Sequence, residues 1–287
     1  MALLHLLLDA GYKKLVLCHL NHGLRGRASG QDAALVRRLA KKYELSNAIE
    51  KVDVALRMRQ TGKSMELAAR HARHEFFCAC SNKYRCNRVL LAHHADDQVE
   101  TILFNLLRGS GGLRGMLFST EHVVSGKSVE FLRPLLNVTR KQIDAYLSEK
   151  KIRYRDDASN EEAISTRNRL RHEAIPLLTE IMSRDITPSI LKAYAISTTH
   201  KLTIDEMLES SQLRDPQGRL FLPKIKKLPP SLQSAAIHHY LKECDIGDIS
   251  HALLTRCVSL VSDTSTAKVN LPGGKFFRRK EKRLFVS

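Results

Sequence analysis

Arg88-Val89-Leu90-Leu91-Ala92-His93-His94-Ala95-Asp96-Asp97-Gln98-Val99-Glu100-Thr101 carries an apolar run straight into a polar helix start. A run of this kind, followed by a helical pattern to Leu107, predicts a buried strand of a parallel sheet and the helix that crosses over from it. The same alternation extends upstream. Lys14 to Leu20 predicts a first strand, and Gln31 to Tyr43 a helix with Ala33, Ala34, Leu35, Val36, Leu39 and Ala40 at helical spacing and Ser29 as its cap. Ala48 to Val54 predicts a second strand, and Ser64 to Cys80 a helix capped by Ser64. Downstream, Phe131 to Leu136 reads as a short extended piece around Pro134, and Arg140 to Glu149 as another helix. Beyond about Ser165 helix signals dominate. Ser231 is expected to cap a helix over Leu232 to Lys242, and Lys268 to Val286 a hairpin around Pro272-Gly273-Gly274. The expected fold is α/β, a Rossmann-like parallel sheet over residues 1–180 followed by a mostly helical domain over 185–287.

Charge narrows the partner. The 47 Lys and Arg outnumber the 30 Asp and Glu among 287 residues, leaving a net charge of +17. Such a chain favours a polyanion, and nucleic acid comes first. Aromatic residues make up only 6% with no Trp, which argues against a single-strand stacking platform as the main binding mode. No apolar run approaches the roughly 20 residues that cross a bilayer, and the start at Met1 lacks the basic leader of a signal peptide, so neither is expected. Six cysteines without a Cys-x-x-Cys pair predict a reducing, cytoplasmic setting and neither zinc nor iron-sulfur ligation, with Cys18 in the core.

The strand-to-helix junction is the expected ligand crevice of an open α/β sheet. Two readings of it stand: Asp96 or Asp97 caps the helix, or the two carboxylates hold Mg²⁺ beside a nucleotide phosphate. His93 and His94, adjacent on a strand, face opposite ways and do not share a metal. Glu66, Arg70 and Arg73 fall on one helix face, as a solvated ion-pair strip or as substrate contacts. Arg167 and Arg171 are one turn apart, with a phosphate clamp and a surface strip both open. Gly109 in Arg108-Gly109-Ser110-Gly111 is placed to end a helix, and the loop fits neither a Walker motif nor a dinucleotide fingerprint. Two basic clusters, Lys224 to Lys227 and Lys275 to Arg283 beside Phe276 and Phe277, are solvated faces or a phosphate track.

Read together, His19-Leu20-Asn21-His22-Gly23-Leu24-Arg25, Glu66 with Arg70 and Arg73, His93 to Thr101, Arg108 to Gly111, Arg133-Pro134-Leu135-Leu136 with Arg140, Asp157-Ala158-Ser159-Asn160, and Arg167-Asn168 with Arg171 resemble the tRNA(Ile)-lysidine synthetases. These are N-type ATP pyrophosphatases with a sheet of the adenine nucleotide α-hydrolase type. The resemblance implies ATP and Mg²⁺ as cofactors, and ligation of free L-lysine to C2 of the wobble cytidine of a CAU-anticodon tRNA(Ile) through an adenylated cytidine. It assigns the chemistry to Asp96, Asp97, His93 and His94, the metal to Asp97 and Asp96, and the nucleotide to His19, Asn21, His22, Arg108, Gly109, Ser110 and Gly111. Substrate and tRNA contacts go to Glu66, Arg70, Arg73, Arg133, Arg140, Asn160, Arg167, Asn168 and Arg171; a homodimer is left open. The family's Ser-Gly-Gly-x-Asp-Ser loop is expected immediately before an apolar helix of the Met1 to Leu8 type, so a longer native protein is expected, with weak ATP binding by residues 1–287 alone. The rival readings are a tRNA thiolation enzyme of the same superfamily and an inactive tRNA-binding relative.

Overall fold

The apolar octapeptide Ala2–Asp9 forms helix α1, and Gly11, at φ 84°, turns the chain toward strand β1, Val16–Asn21. The computed structural model describes residues 1–22, 27–62, 64–110, 112–124, 127–154, 166–263 and 265–287. Helix α2, Arg27–Lys42, crosses over to β2, Ser46–Lys51, which pairs in parallel with β1 from Val16 opposite Ser46 to Asn21 opposite Lys51. Asp53 caps α3, Val54–Thr61, its carboxylate accepting from Leu56 N at 3.0 Å. Ser64 then caps α4, Met65–Tyr84, as its position predicts. Strand β3, Arg88–Leu90, leads to α5, Ala95–Leu107. A hairpin of β4, Ser119–Val124, and β5, Lys127–Leu132, follows, and β5 also pairs in parallel with β3. Helix α6, Arg140–Glu149, opens with a capping box in which Thr139 and Gln142 each satisfy the other's backbone N–H. Short α7, Thr166–Arg169, runs through a π-helical turn, Leu170–Ala174, into α8, Ile175–Ile181.

The expected parallel α/β layer is thus present as two sheets, β1-β2 and β3-β5-β4, with β4 antiparallel. Helix α4 serves both: Phe76 and Cys80 pack with Ala48, Cys18 and Leu20, while Cys78 packs with Val129 and Phe131. The chain divides into two units, residues 1–104 with 115–187, and residues 105–114 with 188–287.

The second unit holds α9, Thr187–Ser210, β6, Leu220–Phe221, α10, Leu222–Lys226, α11, Pro230–Glu243, and α12, His251–Ser259. Strands β7, Lys268–Asn270, β8, Phe276–Lys280, and β9, Arg283–Val286, complete an antiparallel sheet in the order β6-β9-β8-β7. Its inner face, through Leu220, Val269, Phe277 and Leu284, joins Ile225, Ile237, Leu241, Cys257 and Leu260 in one core.

Several local expectations change. Ser29 lies inside α2, and Ser231 lies inside α11, whose N-cap is Pro229. The third strand stops at Leu90 rather than His94, because Leu91 is the last residue tied to β5, through Leu132 O. The expected C-terminal hairpin is a three-strand meander, turned first by Pro272–Gly274 and then by Glu281 and Lys282, both at positive φ.

Phe131 is fully buried, touching Phe77, His74 and His122. Phe131→Ala is expected to cost about 3–5 kcal/mol, read as an earlier urea transition, while Phe131→Leu retains more than half of that stability.

Candidate functional site

Helix α5 starts without a Ser or Thr cap, and its own acids do the capping. Asp97 Oδ2 accepts from His94 N at 3.0 Å, the reach-back from the third helical position. Asp96 turns the other way and accepts from Arg140 N, the first amide of α6, at 2.8 Å, while Ala95 N donates to Val138 O at 2.9 Å. The two helix starts are therefore laced together by one carboxylate and one carbonyl. Negative charge here also answers the positive ends of both helix dipoles. Gln98, next in the motif, holds Met116 through both backbone groups, at 2.9 and 2.7 Å. A Cβ on Gly115 would come within 2.7 Å of Gln98 Nε2, so that loop must lack a side chain there.

The carboxylates meet one arginine. Arg171, in the π-helical turn, donates from Nε to Glu100 Oε1 at 2.5 Å and from Nη2 to Asp97 Oδ1 at 2.9 Å. A π-turn shifts the side-chain phase by a fraction of a turn, a common device at functional sites. Burial pulls the Arg171 pKa down, but Glu100 and Asp97 outweigh it and raise it. Burial raises Glu100, and Arg171 only partly offsets it. Arg167, one turn earlier, reaches Thr101 Oγ1 at 3.4 Å and sits 5.9 Å over the Phe104 ring.

Facing this acidic side is a basic one. His93 is kept neutral first by burial, and Arg133, Arg73 and Arg167 reinforce that while Asp97 opposes it. Its Nδ1 is buried with no hydrogen-bond partner among the described residues. Desolvation and the charge of Arg70 lower the pKa of Arg73 and of Arg133. Burial, with His122 and the same arginines, takes His74 down to about 4. Arg133 is 7% exposed and donates to Leu117 O at 2.9 Å, bracing the loop before β4.

The structure thus gathers His93, His94, Asp96, Asp97, Arg73, Arg133, Arg167 and Arg171 at one junction. Glu100, which the sequence reading left out of the site, belongs there; its one signal was its place one turn after Asp97. Arg140 contributes its amide, while its guanidinium pairs with Asp144 at 3.0 Å. His19 and Asn21 lie on β1 and His22 just beyond it, with His19 Nε2 buried and without a hydrogen-bond partner among the described residues. Asn168 lies on α7. Arg108, Gly109 and Ser110 end α5, about 18 Å of helical rise from Ala95, with Gly109 at φ 83° as a helix-ending residue. Gly111, Asn160 and the Glu66 side chain lie outside the described residues.

Among the described residues no three acidic, His or Cys side chains are grouped to hold a metal. Asp97 has both oxygens engaged, and Asp96 is committed to α6. Mg²⁺ at Asp96 and Asp97 would share these oxygens with the amides of His94 and Arg140 and with Arg171.

A family model described as the PP-loop domain matches residues 1–178. The chain belongs to the PP-loop family. Membership of this ATP pyrophosphatase family implies ATP use. Curated relatives match large parts of the chain: tRNA(Ile)-lysidine synthase of Porphyromonas gingivalis W83 is 40% identical over 67% of this chain and 40% of its own. The Clostridium tetani tRNA(Ile)-lysidine synthase is 35% identical over 65% of this chain and 39% of its own. The Bifunctional protein TilS/HprT of Listeria monocytogenes is 29% identical over 95% of this chain and 43% of its own. The PP-loop chain therefore spans about 40% of the length of these relatives. Among solved structures, U34-tRNA thiolase NcsA from Methanococcus maripaludis aligns at a TM-score of 0.48 with 16% identity, over 68% of this chain and 66% of its own. No described helix is long and apolar enough to cross a membrane.

Burial lowers the pKa of His94, but the Asp96 carboxylate 3.3 Å from its Nδ1 and the charge of Asp97 outweigh it, so the net shift is upward. The stability contributed by protonated His94 is complete below about pH 6.5 and is lost as pH rises through the higher folded value. His94→Gln is expected to flatten that loss, measured as urea midpoints across neutral to mildly alkaline pH.

Proposed function

We propose that this PP-loop chain houses the site of a tRNA(Ile)-lysidine synthase reaction. What supports it is one observation: the α5 junction sets an acidic group, half-buried Asp96 and Asp97 with buried Glu100, against a basic group, Arg73, Arg133 and Arg167, around neutral His93. The two signs suit two different guests. Cations face the phosphates of ATP and of tRNA, where negative charge develops as pyrophosphate leaves. Carboxylates suit the amine of free lysine.

The reaction balances in two steps. The wobble cytidine O2 attacks the α-phosphorus of ATP, and the bond to pyrophosphate breaks. The lysine ε-nitrogen then attacks C2, the C2–O2 bond breaks, AMP leaves and the amine releases a proton. Arg73, Arg133 and Arg167 hold the phosphates, His93 presents an uncharged ring beside them, and Asp97 and Glu100 are paired with Arg171 until a substrate amine competes for them. Mg²⁺ would be held by the Asp96 and Asp97 carboxylates and would supply charge neutralisation beside the nucleotide.

Thiolation finds no support in the cysteines. All six are free, Cys78, Cys80 and Cys257 are buried, and burial with nearby Cys80 pushes the Cys18 thiol up to about 12, far from a reactive thiolate.

The chain, incubated with a CAU-anticodon tRNA(Ile) transcript, labelled lysine, Mg²⁺ and millimolar ATP, is expected to transfer lysine to the tRNA. Asp97→Asn is expected to lower the rate by about 100-fold or more. Tight tRNA binding with no lysine transferred would overturn the reading.

A further inference from the structure

The second unit carries a surface that the α5 junction does not use. Side chains alternate across a sheet, so the register of β6 to β9 divides their residues between an inner and an outer face. Leu220, Val269, Phe277, Arg279 and Leu284 share the inner face by register, Leu220 opposite Leu284, Val269 opposite Phe277 and Arg279 opposite Leu284. The outer face holds three rows: Lys268, Arg278 and Phe285; Asn270 and Phe276; and Lys280, Arg283 and Phe221.

This sorting reduces the basic C-terminal run to a defined set. Arg279 turns inward and donates to Leu260 O and Asp263 O, Lys275 donates to Cys244 O, and Arg283 is tied to Asp215 at 2.8 Å. Those three serve the fold. Lys268 and Arg278 are exposed, have no carboxylate partner among the described residues, and stand over the Phe276 ring at 5.1 and 5.2 Å from its centre. Lys280 is exposed too, its one carboxylate contact being Glu281 at 3.8 Å on the surface. Phe276 and Phe285 are half-buried, and neither packs against the hydrophobic core of the unit.

Aromatic rings and uncompensated cations interleaved on an open sheet face match the chemistry of unpaired nucleotides: bases stack on rings or on a guanidinium plane, and phosphates pair with the cations between them. A protein partner would call for a larger apolar patch, and apart from Asp215 and Glu281, which meet Arg283 and Lys280, the cations here stand without carboxylates. We propose that the outer face of β7, β8 and β9, centred on Phe276, Arg278 and Lys268, binds unpaired nucleotides of the tRNA substrate. The proposal rests on the tRNA reading above and adds a place of contact. Three rings make a small patch, consistent with the low aromatic content of the chain: stacking fixes position while phosphate pairing supplies most of the affinity.

The test uses the full chain, a labelled tRNA(Ile) transcript and anisotropy titrations over a range of salt. Lys268→Ala/Arg278→Ala is expected to shallow the log–log salt slope by about 1.4, near 0.7 per cation for single-stranded contacts. Phe276→Ala is expected to weaken binding roughly tenfold, with Phe276→Leu as the variant that keeps a side chain of similar burial and still loses stacking. Lys192→Ala, an exposed cation on α9, is expected to leave the slope unchanged. A 12-nucleotide single strand should compete better than a duplex of the same length. Wild-type binding that is indifferent to the sheet variants, equally sensitive to Lys192→Ala, or competed equally by duplex overturns this surface and leaves the tRNA reading standing. Absence of tRNA binding by the wild-type chain overturns both.

Discussion

Glu100 is 5% exposed on a helix whose neighbouring acid, Asp97, lies one turn away, and two carboxylates so placed repel one another unless a cation stands against both. Arg171 supplies it with both arms of its guanidinium. Most of the first unit's functional geometry follows from that one contact. It fixes the π-helical turn against α5, brings Arg167 beside Thr101 and Phe104, and leaves the remaining charge of Asp97 to order His94. Asp96 is then free to bind the start of α6.

Polarity follows the same logic. Acids concentrate on α5, arginines come from α4, from the end of β5 and from α7, and His93 stands between them without charge. Burial first, and the charge of Arg70 second, lower the pKa values of Arg73 and Arg133. Such groups are held in place by the surrounding fold, and an anionic guest would relieve them.

Legibility in the sequence tracked the range of the interaction. Apolar periodicity identified β1, α2, α4 and α5, and Arg140–Glu149 is the predicted helix without change. Helix α3 was hidden because Val54–Thr61 carries arginines and a glutamine in a pattern that sustains neither period for long. Strand β4, with Glu121 and His122 on it, gains its stability from pairing with β5 rather than from its own residues. At the site, the density of His and Asp near residue 95 was visible at once. The pairing of Glu100 with Arg171 was not, because 71 residues separate them and only the tertiary fold closes that distance. In the second unit the charge run was conspicuous, but which cations face solvent depended on strand parity, which needed the register of the meander.

A double-mutant cycle at Arg171 and Glu100, read by urea denaturation of the chain at neutral pH, tests the dependence of the site on this ion pair. Arg171→Gln and Glu100→Gln should each destabilise, and the double variant should lose markedly less than their sum, with a coupling of about 1.5–3 kcal/mol. Additive losses would mean that Arg171 and Glu100 act independently, and that the junction is held by something other than their contact.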